Sequence, residues 1–392
     1  MTAATHDVIV LGAGAAGLMC AATAGQRGRR VLLLDHADRP GKKILISGGG
    51  RCNFTNIGTA PDRFISANPH FAKSALDRYT PADFLALVEA HGIAWHEKTL
   101  GQLFCDGSAR QIVAMLVDEC EKGAVELRCA TPIDAVDRDT LFRVRSGGHD
   151  FSAAALVIAT GGPSIPKMGA TGFAYDLARR FGLKVVEPRP ALVPLTLGHD
   201  GLAFRDLAGV AFDSIVSAGK TRFREASLFT HRGLSGPAIL QASSYWRHGQ
   251  PILIDMLPSG DAPALLHAAK RARPRIEART LLAEWLPGRL AQLAADRLGL
   301  GGSLAGLTDR ALQAAGAMLN GWPFIPNGSE GFAKAEVTAG GIDTRGISSR
   351  TMEATAVPGL YAIGEAVDVT GWLGGYNFQW AWASGRAAGE AV

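Results

Sequence analysis

The chain is poor in the residues that staple small folds or carry a chain through a bilayer. Cysteine occurs five times in 392 residues, at Cys20, Cys52, Cys105, Cys120 and Cys129. The number is odd, the spacings are wide and no C-x-x-C pair is present. This argues against a disulfide scaffold, a zinc ribbon or a redox-active dithiol, and reduced thiols in a cytoplasmic setting are expected. No metal site is read from the sequence. Lys and Arg exceed Asp and Glu by only four, 40 against 36, too few by themselves to imply nucleic acid or an anionic membrane. Repeats and low-complexity tracts are absent. The one long apolar stretch, Val8 to Ala24, has Gly and Ala at its centre and no Lys or Arg before it, so it lacks the positive flank of a signal peptide. With 47% hydrophobic and 19% charged residues, the composition is that of an ordinary globular chain of two or three domains.

Glycine is abundant, 48 residues, and its placement is informative. Asp7 to Leu11 reads as a short buried strand. Gly12-Ala13-Gly14-Ala15-Ala16-Gly17 follows, then a helical run from Leu18 to Gln26 ended by Gly28, then a second buried strand, Val31 to Leu34, ending in Asp35. This is a βαβ dinucleotide unit in its proper context. Gly12 permits the tight turn, Gly14 leaves room for a pyrophosphate, and Gly17 lets helix and strand pack closely. The helix N-terminus favours the phosphates, and Asp35 is placed to accept ribose hydroxyls. A carboxylate there repels a 2′-phosphate, which points to FAD or NAD rather than NADP.

Three further features select FAD. Ala155 to Ile158 is a buried strand running into Ala159-Thr160-Gly161-Gly162, a turn typical of flavoproteins, and the alternating Phe142 to Ala154 with Gly147-Gly148 suggests a β-meander before it. Gly359 to Glu365 reads as strand, glycine, acid. Gly374-Gly375-Tyr376-Asn377-Phe378-Gln379 precedes a helical Trp380 to Ala391, placing a helix N-terminus where it can face the flavin ring.

The blocks Gly41 to Asn56 (GKKILISGGGRCNFTN), Thr160 to Gly172 (TGGPSIPKMGATG), Leu228 to Leu240 (LFTHRGLSGPAIL), Ala335 to Gly341 (AEVTAGG) and Gly374 to Trp382 (GGYNFQWAW) resemble the BaiN-like (YhiN-like) family of NAD(P)/FAD-dependent oxidoreductases. The resemblance implies an α/β fold. A Rossmann-like FAD-binding domain of glutathione-reductase type is built from both chain ends and carries a β-plus-helical insert. It also implies FAD contacts at Gly12, Gly14, Ala16, Gly17, Asp35 and His36. The second block contributes Lys43, Ser47, Gly48, Arg51, Cys52 and Asn53. Ala159, Thr160, Gly161, Gly364 and Glu365 follow, with Gly375, Tyr376, Asn377 and Phe378 at the last helix. Ile133, ending a Val125 to Ile133 strand, offers its backbone to the adenine. The chain departs from the family pattern at Gly101 to Ser108 and at Arg232, where many members carry an aromatic residue.

The domain reading is a first FAD-binding segment over 1–190, an insert over 191–332 and a second segment over 333–392. The insert divides into a β part (about 191–257) and a helical part (about 258–320), with Trp322 to Pro326 as a loop back. The helical part is locally basic, with Lys270, Arg271, Arg273, Arg275, Arg279 and Arg289 partly balanced by Glu277 and Glu284. It reads as a solvated face rather than a nucleic-acid surface, since no RNA-binding module or interleaved aromatics accompany it.

With no second G-x-G-x-x-G and no C-x-x-C, a plan with its own nicotinamide domain and disulfide relay does not fit. The expected function is an FAD-dependent oxidoreductase. It takes hydride from NAD(P)H as a transient donor and reduces an activated C=C or similar small-molecule acceptor. His231, Arg232 and Tyr376 are the candidates for protonating or holding that substrate. Cys52 reads as a packing residue unless Arg51 lowers its pKa. The alternatives are a flavin-dependent RNA-modifying enzyme, motivated by the basic helices, and a non-enzymatic flavin-binding sensor or scaffold.

Overall fold

The computed structural model describes residues 4–392, apart from the side chains of residues 199, 200, 202 and 203. Residues 1–3 of the opening segment lie outside the described residues. The chain divides into two compact units: the part up to Arg189 together with Val337–Val392, and Pro190–Glu336.

The first unit is built on a mixed sheet whose central strands are parallel. β1 (His6–Leu11) leads into α1 (Ala15–Gln26) and β2 (Val31–Leu34), with β1 and β2 parallel in the register Val8↔Val31 to Leu11↔Leu34. Both strands are apolar on both faces because a parallel sheet is covered on both sides; Val8 to Leu11 and Val31 to Leu34 are buried. α2 (Lys42–Ile46), β3 (Asn53–Asn56), β4 (Gln102–Cys105) and α3 (Ala109–Lys122) precede β5 (Glu126–Arg128), which pairs parallel with β2. β6 (Ala135–Arg138), β7 (Phe142–Ser146) and β8 (His149–Ile158) form the expected meander. Gly147 and Gly148, both at positive φ, make the two-residue turn between β7 and β8.

β8 has three partners. Its first half runs antiparallel to β7, and its second half lies parallel between β1 and β9 (Leu360–Ala362). The spatial order β5-β2-β1-β8-β9 therefore joins strands from both ends of the chain. α4 (Tyr376–Ala391) packs against α1. The two helices approach closely because α4 carries glycines where it faces α1. A Cβ at Gly385 would lie 2.5 Å from the Ala16 carbonyl oxygen, and one at Gly389 would lie 2.7 Å from that of Cys20. Among the described residues no helix is long and apolar enough to cross a membrane.

The second unit holds a seven-stranded antiparallel sheet. In spatial order its strands are Trp322–Phe324, Ile252–Asp255, Ala211–Ala218, Thr221–Thr230, Gly233–Ser235, Leu195–Leu197 and Pro326–Ser329. The helices Pro237–Ser243, Ala262–Ala272, Ala278–Trp285, Gly288–Arg297 and Asp309–Leu319 accompany it, with Pro274, Pro287 and Gly301-Gly302 falling at the breaks.

Three sequence expectations are corrected here. Trp322 to Pro326 is not a loop. It supplies both edge strands of the insert sheet, separated by Ile325 alone, so the sheet curls until its edges meet. Pro323 and Pro326 lack the N–H a central strand needs, but an edge tolerates them. The Val125 to Ile133 strand is only Glu126–Arg128, because Ala130 turns left-handed (φ +51°) and Pro132 has no N–H to pair. The final helix starts at Tyr376 rather than Trp380, launched by Gly375 at φ +97°.

Candidate functional site

The C-terminal ends of β1, β8 and β9 converge on the N-terminus of α1, where a doubly wound sheet binds its ligand. Gly12 has φ +105°, and a Cβ there would sit 2.6 Å from the Ala159 carbonyl oxygen; a Cβ on Gly17 would lie 1.8 Å from the Gly12 oxygen. Gly14 has no heavy atom within 4 Å of where a Cβ would stand, so open space lies in front of the uncapped first turn of α1. The Asp35 carboxylate closes the turn. Its Oδ2 accepts the Ala13 N–H at 2.6 Å and its Oδ1 the Ala37 N–H at 2.8 Å, leaving lone pairs for ribose hydroxyls. His36 Nδ1 stands 3.5 Å from the same carboxylate. The Ala130 and Thr131 N–H groups bond to the Ala37 and Asp35 carbonyls. This ties the segment before Ile133 to the Asp35 loop, and Ile133 itself is packed partly against the core.

A polar cluster lies beside this turn. Lys43 Nζ donates to Glu365 Oε2 at 2.7 Å and to Ser164 Oγ at 2.6 Å. Ser164 Oγ donates to Glu365 Oε1 at 2.7 Å, and the Thr338 N–H reaches the same oxygen at 2.9 Å. Burial would raise the Glu365 carboxyl, but the Lys43 ammonium and these donors hold it below its ordinary value. Gly364, at φ +62°, brings this acid next to α1: a Cβ on Gly364 would lie 2.8 Å from that of Ala16. The Gly161 backbone approaches Glu365 on the other side, and the Thr160 hydroxyl is buried with no hydrogen-bond partner. The open space at Gly14, the clamped Asp35 and the orphaned Thr160 hydroxyl together fit a dinucleotide laid across the strand ends. The fold is of the FAD-binding Rossmann type.

The glycine-rich block after α2 is conformationally special. Gly48, Gly49 and Gly50 all have positive φ, and so does Cys52 at +54°. Ser47 Oγ donates to the Ile44 carbonyl, the Cys52 N–H to the Ser47 carbonyl, and Arg51 is exposed. The Cys52 thiol is buried, and burial pushes it up to about 12, so Arg51 does not activate it. β3 carries this loop to α4. A Cβ on Gly375 would meet the Thr55 carbonyl at 2.4 Å and the Asn53 side chain at 2.9 Å. Asn377 has its amide taken up by the backbone of Gly371 and Trp372. Phe378 stacks on Trp382, with ring centroids 5.6 Å apart.

Of the proton-transfer candidates, Tyr376 is buried edge-on to Phe64 and Trp372. His231 and Arg232 lie in the other unit, on the exposed turn between Thr221–Thr230 and Gly233–Ser235. Arg232 faces Glu330 at 3.7 Å. The structure therefore gathers the glycine turn, the Ala159 to Gly161 turn, Gly364-Glu365 and Lys43 around one point, and joins Gly375 to Asn53. His231 and Arg232 belong to the other unit. The roles of Ser164 and Thr338 escaped sequence reading. The available signal was a buried acid at 365, which demands donors from elsewhere in the chain.

Among known proteins, residues 6–391 match the HI0933-like protein Rossmann domain. The chain is 54% identical over 392 residues to the ribosomal RNA dihydrouridine synthase of Escherichia coli (strain K12), covering 98% of this chain and 97% of that one. It is 43% identical over 392 residues to the ribosomal RNA dihydrouridine synthase of Haemophilus influenzae, covering 98% of each. It is 29% identical over 409 residues to the 3-dehydro-bile acid delta(4,6)-reductase of Clostridium scindens, covering 98% of each.

Proposed function

The chain belongs to the HI0933-like Rossmann family and is a flavin-dependent oxidoreductase, and from that premise we propose that it reduces uridines in ribosomal RNA to dihydrouridine with non-covalent FAD. The observation that carries the reading is 54% identity over 98% of the chain to a protein named for that reaction. One expectation is thereby corrected, that nucleic acid is an unlikely partner, and the RNA-modifying alternative is better supported than a small-molecule acceptor. The 29% identity to a bile-acid reductase is the weaker guide to substrate.

The reaction type survives the correction. The C5=C6 bond of uracil is conjugated to the C4 carbonyl, so it is an electron-poor alkene of the kind inferred from the sequence. FAD, when bound, supplies hydride to that alkene and is itself reduced by NAD(P)H. The protein's own part is to hold the cofactor and to manage charge and protons. The α1 N-terminus and Gly14 receive the pyrophosphate, and Asp35 takes the ribose. Lys43 keeps Glu365 ionised beside the Gly161 turn.

The test is anaerobic. Protein reconstituted with FAD is bleached with NADH or NADPH and then mixed with ribosomal RNA from cells lacking the enzyme. The expected result is return of the flavin band together with RNA that has gained two hydrogens per modified uridine by mass spectrometry. Flavin that stays reduced, with RNA unchanged in mass, overturns the reading.

A further inference from the structure

The charge balance of the insert was discounted from sequence, and the structure gives it a different meaning. The helical segment 262–319 carries eight Lys and Arg against four Asp and Glu, an excess of four that equals the excess of the whole chain. Half of these cations are already satisfied. Arg273 makes two 2.8 Å bonds to Glu284, Arg279 pairs with Glu277, Lys270 pairs with Asp309, and Arg289 donates to the Asp206 and Ala208 carbonyls. Arg271, Arg275, Arg297 and Arg310 are exposed, with no ion pair among the described residues. Arg271 ends the helix Ala262–Ala272 and Arg310 begins the helix Asp309–Leu319; these two helices pack together. Both flank Asp309, which Lys270 already neutralises at 2.7 Å and which His267 approaches at 4.0 Å. The Asp309 carboxyl is held below its ordinary value by Lys270 first, with His267 and Arg271 adding to it.

We propose that this helical face of the insert, centred on Arg271 and Arg310, docks the phosphate backbone of the RNA. The assignment rests on the reading of RNA as substrate and says which surface holds it. All four cations without an ion pair are arginines, whose planar forks match phosphate oxygens in pairs; Arg297 among them also lies over the Phe204 ring, 5.9 Å from its centroid. The face has little of what a protein partner needs. Leu265 and Met318 are the large hydrophobic side chains exposed on its helices, whereas protein interfaces are anchored by buried aromatic and apolar groups. Phosphate docking is sequence-independent, releases counterions and is strongly salt-dependent.

The experiment measures binding of the intact FAD-loaded protein to deproteinised bulk ribosomal RNA over a series of salt concentrations. R271E/R310E is compared with wild type and with R143E/R145E, an equal change of charge on exposed positions of β7. At low salt R271E/R310E is expected to bind at least about tenfold more weakly. Its slope of log K against log salt should be smaller by about one to two, with flavin absorbance and thermal unfolding as in wild type. R143E/R145E is expected to stay within about twofold of wild type. Binding of R271E/R310E that equals wild type overturns the surface, and so does an equal loss in R143E/R145E, which would reflect net charge alone. Displacement of RNA by polyglutamate as readily as by polyuridylate would favour an acidic protein and also overturn it. If wild type binds no ribosomal RNA at all, the reading of the substrate itself fails, a result distinguishable from failure of the surface.

Discussion

At the scale of single residues, two half-buried carboxylates carry the sharpest expectations. Glu365 is held ionised by Lys43, Ser164 and the Thr338 N–H. K43M leaves the acid in place without its cation, and breaking such a pair costs about 3 kcal/mol. Because the folded carboxyl lies below its ordinary value, its contribution is present above that value and fades as pH falls through the folded one. In K43M the carboxyl rises, so urea unfolding is expected to show the loss at pH 7 and an acid limb displaced to higher pH. An unfolding free energy equal to wild type at both pH 5 and pH 7 would contradict this. Glu119 is the second case. Burial raises it, but bonds from Lys122, His91 and Gln26 bring it down to about 2, and its Gln26 partner ties α3 to α1. Its stabilisation is complete above the ordinary value of 4.5 and declines as pH falls toward 2. Because Lys122 is exposed and solvent screens the pair, E119Q is expected to be less stable than wild type by only about 1 kcal/mol near neutrality, with the gap closing between pH 4.5 and 2. A gap that stays constant across that window would refute the assignment.

At the scale of elements, the glycines of the opening turn have different jobs, and substitution separates them. Gly17 is required by packing, since any Cβ collides with the Gly12 carbonyl; G17A is expected to lose several kcal/mol of stability, about 3 or more. Gly14 faces open space with extended backbone (φ −81°, ψ −170°). G14V should fold with an unchanged melting temperature yet bind FAD about tenfold or more weakly, because its side chain enters the space reserved for phosphate. Equal FAD affinity in G14V, measured by flavin fluorescence titration, would show that the cofactor lies elsewhere. This βαβ unit was legible because each element announces itself locally: an apolar strand, three glycines at fixed spacing, a second strand ending in acid. The meander was legible from Gly147-Gly148. The edge strands at Trp322 to Pro326 were not, because proline reads as punctuation and edge position is a property of the whole sheet. The roles of Ser164 and Thr338 were not, although both lie in quoted blocks, because their partner Glu365 is distant in sequence.

At the scale of the whole molecule, the insert leaves and returns through neighbouring strands, Val185–Ala191 and Val337–Ile342, which pair with one another. The first unit has its own mixed sheet and buried core. Replacing residues 190–336 by a short Gly/Ser linker is therefore expected to leave a yellow, FAD-binding protein that no longer retains ribosomal RNA. A deletion protein that folds but stays colourless after FAD reconstitution would show that the insert is needed to hold the cofactor.

The pairing of β8 with β9, and of α1 with α4, also sets an order of events during synthesis. The glycine turn leaves the ribosome well before Glu365 and the helix that walls α1 are made. Arg27, near the beginning, then ties down the Gly389 and Val392 carbonyls. A nascent chain halted before Leu360 therefore carries the fingerprint without the grip, and colour reports that translation has run through α4.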